Sequence, residues 1–218
     1  ETFKGLVDLF KMKAFIFEDE MGMKILETDI PEDLKEKAEE YRGRLIEAIV
    51  ENDETLMDKY LAGEEIPMVD LKRVLRKATI ENKIVPILVG SALKNKGVQM
   101  LLDAIVEFLP SPLEIPPMQG YDPKDEENII TVNPSDDEPF AGLAFKVATD
   151  PYVGKLCFIR VYSGILKSGS YIVNTATGEK ERIGRIVRMH ANHREEVDEV
   201  YAGEIAAIIG LKKTFTGH

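Results

Sequence analysis

Residues 91–97 have the residue types and the order of a ligand-binding turn. The apolar run 84–90 before them predicts a short strand, and the amphipathic run 97–109 after them predicts a helix. Loops at the carboxyl ends of strands are where α/β folds bind ligands. Between Ser91 and Leu93 stands the small Ala92, which would let a ligand come close to the backbone. The Ala92 N–H could then donate a hydrogen bond to an oxygen of that ligand.

The chain lacks a segment for binding phosphates. No stretch reads G-x-x-x-x-G-K-[ST], the loop whose backbone N–H groups cradle phosphates and whose lysine reaches them. The nearest glycine spacing runs from Gly164 to Gly169, but Ser170 and Tyr171 stand where a lysine and a hydroxyl are needed. Because a strand-like run follows, we interpret this stretch as a turn in a β-barrel. We expect no catalytic residue and no cofactor in this chain alone.

Composition and charge narrow the classes of function. The chain has 218 residues, 44% of them hydrophobic, which is enough for one large or two modest domains. The net charge of -11 would repel nucleic acid if it were evenly spread. Residues 140–218, however, hold 11 basic and 8 acidic residues, so this region could approach phosphate. One cysteine excludes a disulfide framework and fits the cytoplasm, and the apolar runs are too short for a membrane span.

Residues 1–82 predict a small α/β unit, with a short sheet over residues 6–28 followed by three helices. The first helix begins at Pro31, the second spans 53–62, and the third spans about 68–82. The inward residues of the third helix are predicted to be Leu71, Val74, Leu75 and Ala78. The inward stripe of the first helix is predicted to be Leu34, Ala38, Tyr41, Leu45, Ala48 and Ile49. Its opposite face carries Glu32, Glu36, Glu39 and Glu40.

Residues 83–110 predict one strand and one helix from the edge of a larger sheet. Pro86 cannot donate a ladder hydrogen bond, which places the strand 84–90 at an edge. The helix has an apolar stripe that must be covered by residues outside this region. Without that cover we expect self-association or mobility. This stripe comprises Val98, Leu101, Leu102, Ile105, Val106 and Leu109.

The remainder of the chain predicts a linker and then an all-β barrel. Residues 111–139 are rich in proline and acidic clusters, which is typical of a domain connection. Residues 140–218 hold short strands at turn-marked intervals with no helix between them. One long strand is predicted over 181–190, with a bulge near Gly184. Basic residues cluster in and after this strand: Arg182, Arg185, Arg188, His190, His193 and Arg194.

Several of these segments resemble elongation factor G, a translational GTPase. The 91–93 turn, with the apolar run before it, resembles the last guanine-contacting motif of such GTPases, and residues 3–9 look like the entry to the G-prime insertion. Residues 150–154, 160–164, 189–192, 194–196, 202–207 and 210–212 resemble domain II. The resemblance covers nearly the whole chain. Together with the first residue, Glu1, it implies an internal segment of a longer protein.

The resemblance implies roles for three groups of residues. Ser91, Ala92 and Leu93 would contact guanine. The parent protein, which includes the remainder of the GTPase domain, would bind GTP and Mg²⁺ and hydrolyse the GTP. The parent would drive movement of tRNA and mRNA through the ribosome. The four glutamates of the first helix would contact the ribosomal stalk protein. Arg182, Arg185, Arg188 and Arg194 would contact small-subunit ribosomal RNA.

Simpler interpretations stay open for each feature. The 91–97 segment could be only a polar turn, the glutamates a solvated helix face, and the arginines ordinary exposed charges. His190, His193 and Cys157 lack the further ligands that a metal site needs, and Cys157 fits a core position. The whole chain could also be a self-sufficient RNA-binding barrel with an acidic regulatory subdomain, or a nucleotide enzyme with degenerate motifs.

Overall fold

The computed structural model describes residues 3–122, 125–191 and 193–218. The chain divides into two compact units, Glu1–Pro110 and Ser111–His218. Residues 83–110 therefore belong to the same unit as the three predicted helices. Residues 111–139, expected as a linker, belong to the unit that contains the barrel strands.

The first unit opens with a three-stranded antiparallel sheet in the order β1-β2-β3. Its strands are β1 Gly5–Asp8, β2 Lys13–Phe17 and β3 Ile25–Thr28. The β1–β2 register pairs Gly5 with Ile16, and the β2–β3 register pairs Ala14 with Thr28. In β2 the side chains of Ala14, Phe15 and Phe17 are buried, and the short sheet that the sequence predicted over residues 6–28 is present.

Three helices follow: α1 Glu32–Val50, α2 Glu54–Leu61 and α3 Met68–Ile80. Pro31 is the N-cap of α1 rather than its first helical residue. At α2 the N-cap Asp53 accepts a hydrogen bond from the Leu56 N–H at 3.1 Å, which satisfies one of the unpaired donors at that helix end.

The core of this unit lies where α3 packs against α1 and a fourth helix, α4 Val98–Phe108. The predicted inward face of α3 is confirmed, because Leu71, Val74, Leu75 and Ala78 are all buried. The predicted stripe of α1 is wrong in part. Ala38 and Ile49 are buried, whereas Leu34, Tyr41 and Ala48 are exposed. The apolar period along α1 therefore does not by itself determine which of its residues are buried.

The segment 84–90 is not a strand, contrary to the sequence prediction. A strand needs a hydrogen-bonded neighbour, and no strand among the described residues pairs with this segment. Val85, Ile87 and Val89 are exposed, as expected for an extended run without cover. Helix α4 does form, and it buries Phe108 while its predicted stripe is largely exposed at Leu101, Leu102, Ile105, Val106 and Leu109.

The second unit is built from antiparallel strands. They are β4 Met118–Asp122, β5 Asp125–Val132, β6 Ala141–Asp150, β7 Gly154–Ser163, β8 Leu166–Lys167, β9 Tyr171–Asn174, β10 Glu179–Arg182, β11 Arg185–His190, β12 His193–Val197, β13 Glu199–Val200 and β14 Ile205–Ile209. The largest sheet has the order β12-β11-β14-β7-β6, and β10-β9, β13-β8 and β4-β5 form two-stranded sheets. These sheets surround a core that includes Cys157, Val161, Ile183 and Ile186, which makes the unit barrel-like.

Two differences from the sequence prediction lie in this unit. The expected linker contains the hairpin β4–β5, because the β-branched run Ile129, Ile130, Thr131 and Val132 pairs with residues 118–121. The expected strand 181–190 is two strands, interrupted at Ile183 and Gly184. A Cβ at Gly184 would lie 2.2 Å from the Ile209 carbonyl oxygen, so this crossing point requires glycine.

Candidate functional site

The 91–97 turn is a closed loop with its own backbone hydrogen bonds. The Ser91 N–H donates to the Lys96 carbonyl oxygen at 2.8 Å, and the Lys96 N–H donates back to the Ser91 carbonyl oxygen at 3.0 Å. Between them lies a single 3₁₀ turn, Ala92–Lys94. Asn95 and Gly97 have φ of 52° and 85°, values in the left-handed region that asparagine and glycine tolerate best.

This loop leaves a backbone donor available at the position that the sequence singled out. Within the described residues, the Ala92 N–H donates to no backbone carbonyl and to no side chain. Ala92 is exposed, and Leu93 is 92% exposed. An oxygen of a ligand could therefore approach the Ala92 N–H without displacing a protein contact. The N–H would recognise that oxygen by donating a hydrogen bond to it.

The glutamates of α1 lie on one exposed face of the helix. Glu32 pairs with Lys35 at 2.5 Å and Glu40 pairs with Arg44 at 2.6 Å. Glu36 and Glu39 make no ion pair with another described residue. Of the four candidate glutamates, two are therefore uncompensated and two are already partly neutralised.

The four candidate arginines are exposed to different degrees, and three of them are paired within the second unit. Arg188 lies 2.6 Å from Glu204, Arg185 lies 3.8 Å from Glu196, and Arg194 pairs with Asp150. Arg182 makes only a 3.4 Å contact from Nε to the Gly169 carbonyl oxygen. The positive surface is therefore weaker than the base count of the sequence suggests.

The histidines and the cysteine do not form a metal site. The described residues contain no group of three histidine, cysteine or carboxylate side chains placed to hold a metal. His190 lies 3.2 Å from Glu195 on the neighbouring strand, and Cys157 is fully buried. Burial raises the pKa of the Cys157 thiol, so it packs as a core residue. Asn192, part of the predicted domain II motif, lies outside the described residues.

Sequence reasoning missed two groups of polar residues. Asn95 and Gln99 bond to the turn between β2 and β3, about 75 positions away along the chain. Glu181, placed in a strand without a role, is a buried carboxylate that accepts hydrogen bonds from the Lys212 and Lys213 N–H groups and from the Thr214 hydroxyl. Contacts at such separations leave no local pattern, so only the fold could find them.

Two comparisons connect these features to known proteins. Residues 154–218 match the family model described as elongation factor Tu domain 2. The chain is also similar to a crystal structure of a protein from Thermus thermophilus, with a TM-score of 0.73 and 29% sequence identity. That similarity covers 98% of this chain but 29% of the Thermus protein.

The match covers the strands from β7 to β14, where the sequence predicted a translation-factor barrel. In the described residues no helix has both the length and the apolar character needed to cross a membrane. The similarity to the Thermus protein spans both units, so their combination in one chain also occurs there. Residues 154–218 of the second unit are therefore similar to a translation elongation factor domain, elongation factor Tu domain 2.

Proposed function

We propose that this chain is a segment of an elongation factor of the G type, whose whole protein uses GTP to drive tRNA and mRNA through the ribosome. The observation that carries the proposal is an exposed loop with a free backbone donor in the same chain as residues 154–218, which match elongation factor Tu domain 2. The first unit corresponds to the G-prime insertion and the end of the GTPase domain. The cytoplasm is the compartment that this function requires.

In this proposal the 91–97 loop recognises the guanine base. The Ala92 N–H donates to the base oxygen, while Ser91 and Leu93 flank the ring. GTP and Mg²⁺ bind mainly to the rest of the GTPase domain, which supplies phosphate contacts and charge stabilisation for hydrolysis. This chain contributes base recognition and orientation, and no residue of it acts on the phosphate.

The exposed stripe of α4 and the segment 84–90 form the surface for the remainder of that domain. Val106 is 81% exposed and Ile87 is 88% exposed, more than expected for apolar residues in a finished core. A strand from the rest of the GTPase domain would pair with the segment 84–90 and make it an edge strand, as predicted. Helices of that domain would cover the apolar stripe of α4. Self-association of the 218-residue chain through the same surface stays a prediction.

The experiment that tests the function is a translocation assay with the longer protein encoded by the same gene. We expect it to move mRNA on pretranslocation ribosomes with GTP and much more slowly with GDP. The 218-residue chain should not move mRNA with either nucleotide. A longer protein that binds ribosomes but never moves mRNA would contradict the proposal.

We propose that the α1 glutamates contact a lysine-bearing surface of the ribosomal stalk protein. Changing Glu36 and Glu39 to lysine in the longer protein should slow stalk-dependent GTP hydrolysis about 10-fold at low salt. These two residues are chosen because no internal ion pair competes for them. The measurement is the rate of hydrolysis against stalk protein concentration.

The matched control changes Glu64 and Glu65 to lysine. These glutamates are exposed in the same unit and give the same change in net charge. The control should hydrolyse GTP at nearly the rate of the unmodified protein. Equal rates for both double variants at low salt would exclude α1 as the stalk contact.

We propose that the arginines of the barrel contact phosphates of small-subunit ribosomal RNA. Changing Arg182, Arg185 and Arg188 to glutamine should make ribosome binding less dependent on salt. The slope of log K against log salt should fall by about one to two, since each phosphate contact contributes about 0.9 and two of these arginines are already paired. Changing Lys59, Lys77 and Lys83 to glutamine removes equal charge from the acidic unit and should leave the slope unchanged. A slope unchanged in the arginine variant would remove these residues from the interface.

A further inference from the structure

The turn between β2 and β3 lies directly against the 91–97 loop. The Asn95 Nδ2 donates to the Met21 carbonyl oxygen at 3.2 Å, and the Gln99 Nε2 donates to the Gly22 carbonyl oxygen at 2.9 Å. Two side chains, one in the loop and one in the first turn of α4, thus bind consecutive carbonyls of the same turn. The contact joins the start of the chain to the candidate base-recognition loop.

The backbones also touch at this point. Gly22 has a φ of 62°, and a Cβ built on it would lie 2.6 Å from the Asn95 carbonyl oxygen and 2.9 Å from the Asn95 carbonyl carbon. A side chain at position 22 would therefore push the turn away from the loop. Glycine meets both requirements here, the left-handed conformation and the close approach.

The turn itself is held in shape by its own hydrogen bonds. The Lys24 N–H donates to Asp19 Oδ1 at 2.9 Å, and the Glu18 N–H donates to the Lys24 carbonyl oxygen at 3.1 Å. The bond from the Lys24 N–H is the main reason that the pKa of Asp19 lies below its ordinary value. A braced turn can act as a fixed support, whereas a loose one would move with the loop.

Asn95 connects this support to the position that would meet the base. Its N–H donates to the Ala92 carbonyl oxygen at 3.1 Å, which closes the 3₁₀ turn that presents the Ala92 N–H. We propose that the β2–β3 turn is a positioning element for base recognition, acting through Asn95 and Gln99. This inference rests on the proposed function, because the turn can position the loop for base recognition only if the loop binds guanine.

The first test measures the loop alone, by hydrogen exchange in the 218-residue chain. Gln99→Met keeps the length of the side chain and removes its donor. We expect the amides of Ser91 and Lys96, which bridge the loop, to exchange about 5-fold faster or more. Gln119→Met, an exposed substitution on β4, is the matched control and should leave them unchanged. Unchanged exchange in Gln99→Met overturns the inference.

The second test measures base discrimination in the longer protein. The probes are GDP and the diphosphate of 2,6-diaminopurine riboside, which has an amino donor where guanine has its oxygen. Gln99→Met should reduce the preference for GDP about 3- to 10-fold, the effect of one weakened hydrogen bond. Gln99→Lys restores a donor and should recover most of the preference. A general loss of protein stability would weaken the binding of both nucleotides equally and leave the preference for GDP unchanged.

Ala92→Pro separates failure of the inference from failure of the proposed function, because proline removes the donor itself. If Ala92→Pro abolishes discrimination while Gln99→Met leaves it intact, the loop recognises the base without the β2–β3 turn and the inference is overturned. If Ala92→Pro has no effect, the proposed function fails, and the inference fails with it.

Discussion

Replacing Glu181 with alanine is expected to lower the free energy of unfolding of the second unit by about 3 kcal/mol. The side chain is buried and accepts three hydrogen bonds. They come from the Lys212 N–H at 2.8 Å, the Lys213 N–H at 2.9 Å and the Thr214 hydroxyl at 2.6 Å. Removing the carboxylate leaves the partly buried Lys212 and Lys213 N–H groups and the buried Thr214 hydroxyl without this acceptor. A buried unpaired donor costs about 1 to 3 kcal/mol.

The effect should extend to the polar network around Glu181. Thr214 is buried, and its hydroxyl also lies 3.4 Å from Nδ2 of the buried Asn174. The same Asn174 accepts backbone hydrogen bonds from Ala176 and Thr177 in the β9–β10 turn. Partly satisfied buried networks are costly, so the segment 211–218 and this turn should loosen together.

The matched control is Glu179→Ala, two residues earlier on the same strand. Glu179 pairs with the Lys213 ammonium at an exposed position, where ion pairs contribute little. Chemical denaturation of both variants should show a large loss for Glu181→Ala and a small one for Glu179→Ala. Equal losses would mean that Glu181 contributes only surface charge.

The stability of the unit should also depend on pH through Glu181. Burial acts to raise the pKa of this carboxyl, but the hydrogen bonds from Lys213, Thr214 and Lys212 outweigh it, and the pKa falls below the ordinary 4.5. A lowered folded-state pKa stabilises the fold above the unfolded pKa and loses that effect as pH falls through the folded value. The difference between the unmodified chain and Glu181→Gln should therefore narrow below about pH 4.5.

Local patterns predicted the elements whose stability is also local. The four inward residues of α3 recur at helical spacing and are buried, and Asp53 precedes α2 as a capping residue should. The barrel strands were predictable because glycines mark their turns and apolar residues alternate between them. These signals lie within a few residues of each other, so no knowledge of the tertiary fold was needed.

The errors occurred where a distant partner decides the structure. The segment 84–90 has a strand-like composition, but pairing depends on a neighbour that the described residues do not provide. Leu34 and Tyr41 fit the helical period of α1 but are exposed, whereas Ala38 between them is buried. The strand expected over 181–190 ends early because Gly184 passes close to the Ile209 backbone.

In the candidate site, too, local features were predictable from the sequence and contacts with distant residues were not. The loop residues were recognisable from their types and order, and the structure places their free donor at Ala92. The contacts of Asn95 and Gln99 with the β2–β3 turn were not recognisable, because amides of this kind are common on surfaces. Which arginines are neutralised also depended on distant partners, since Arg188 pairs with Glu204 and Arg194 pairs with Asp150.

The second large effect is expected in nucleotide binding. The longer protein should bind GDP with a Kd in the micromolar range or below, and Ala92→Pro should weaken that binding at least about 10-fold, or about 1.4 kcal/mol. The proline removes the Ala92 N–H, the donor proposed to meet the base. Ala92→Gly keeps this N–H and is the matched control, which should bind GDP nearly as well as the unmodified protein.

Titration of GDP onto the 218-residue chain tests most directly whether this segment recognises the base without the machinery for phosphate. We expect no saturable binding below about 1 mM, because a base contact alone gives little of the roughly 8 kcal/mol needed for micromolar affinity. Saturable binding at micromolar GDP would contradict the account, since the chain would then hold a complete nucleotide site.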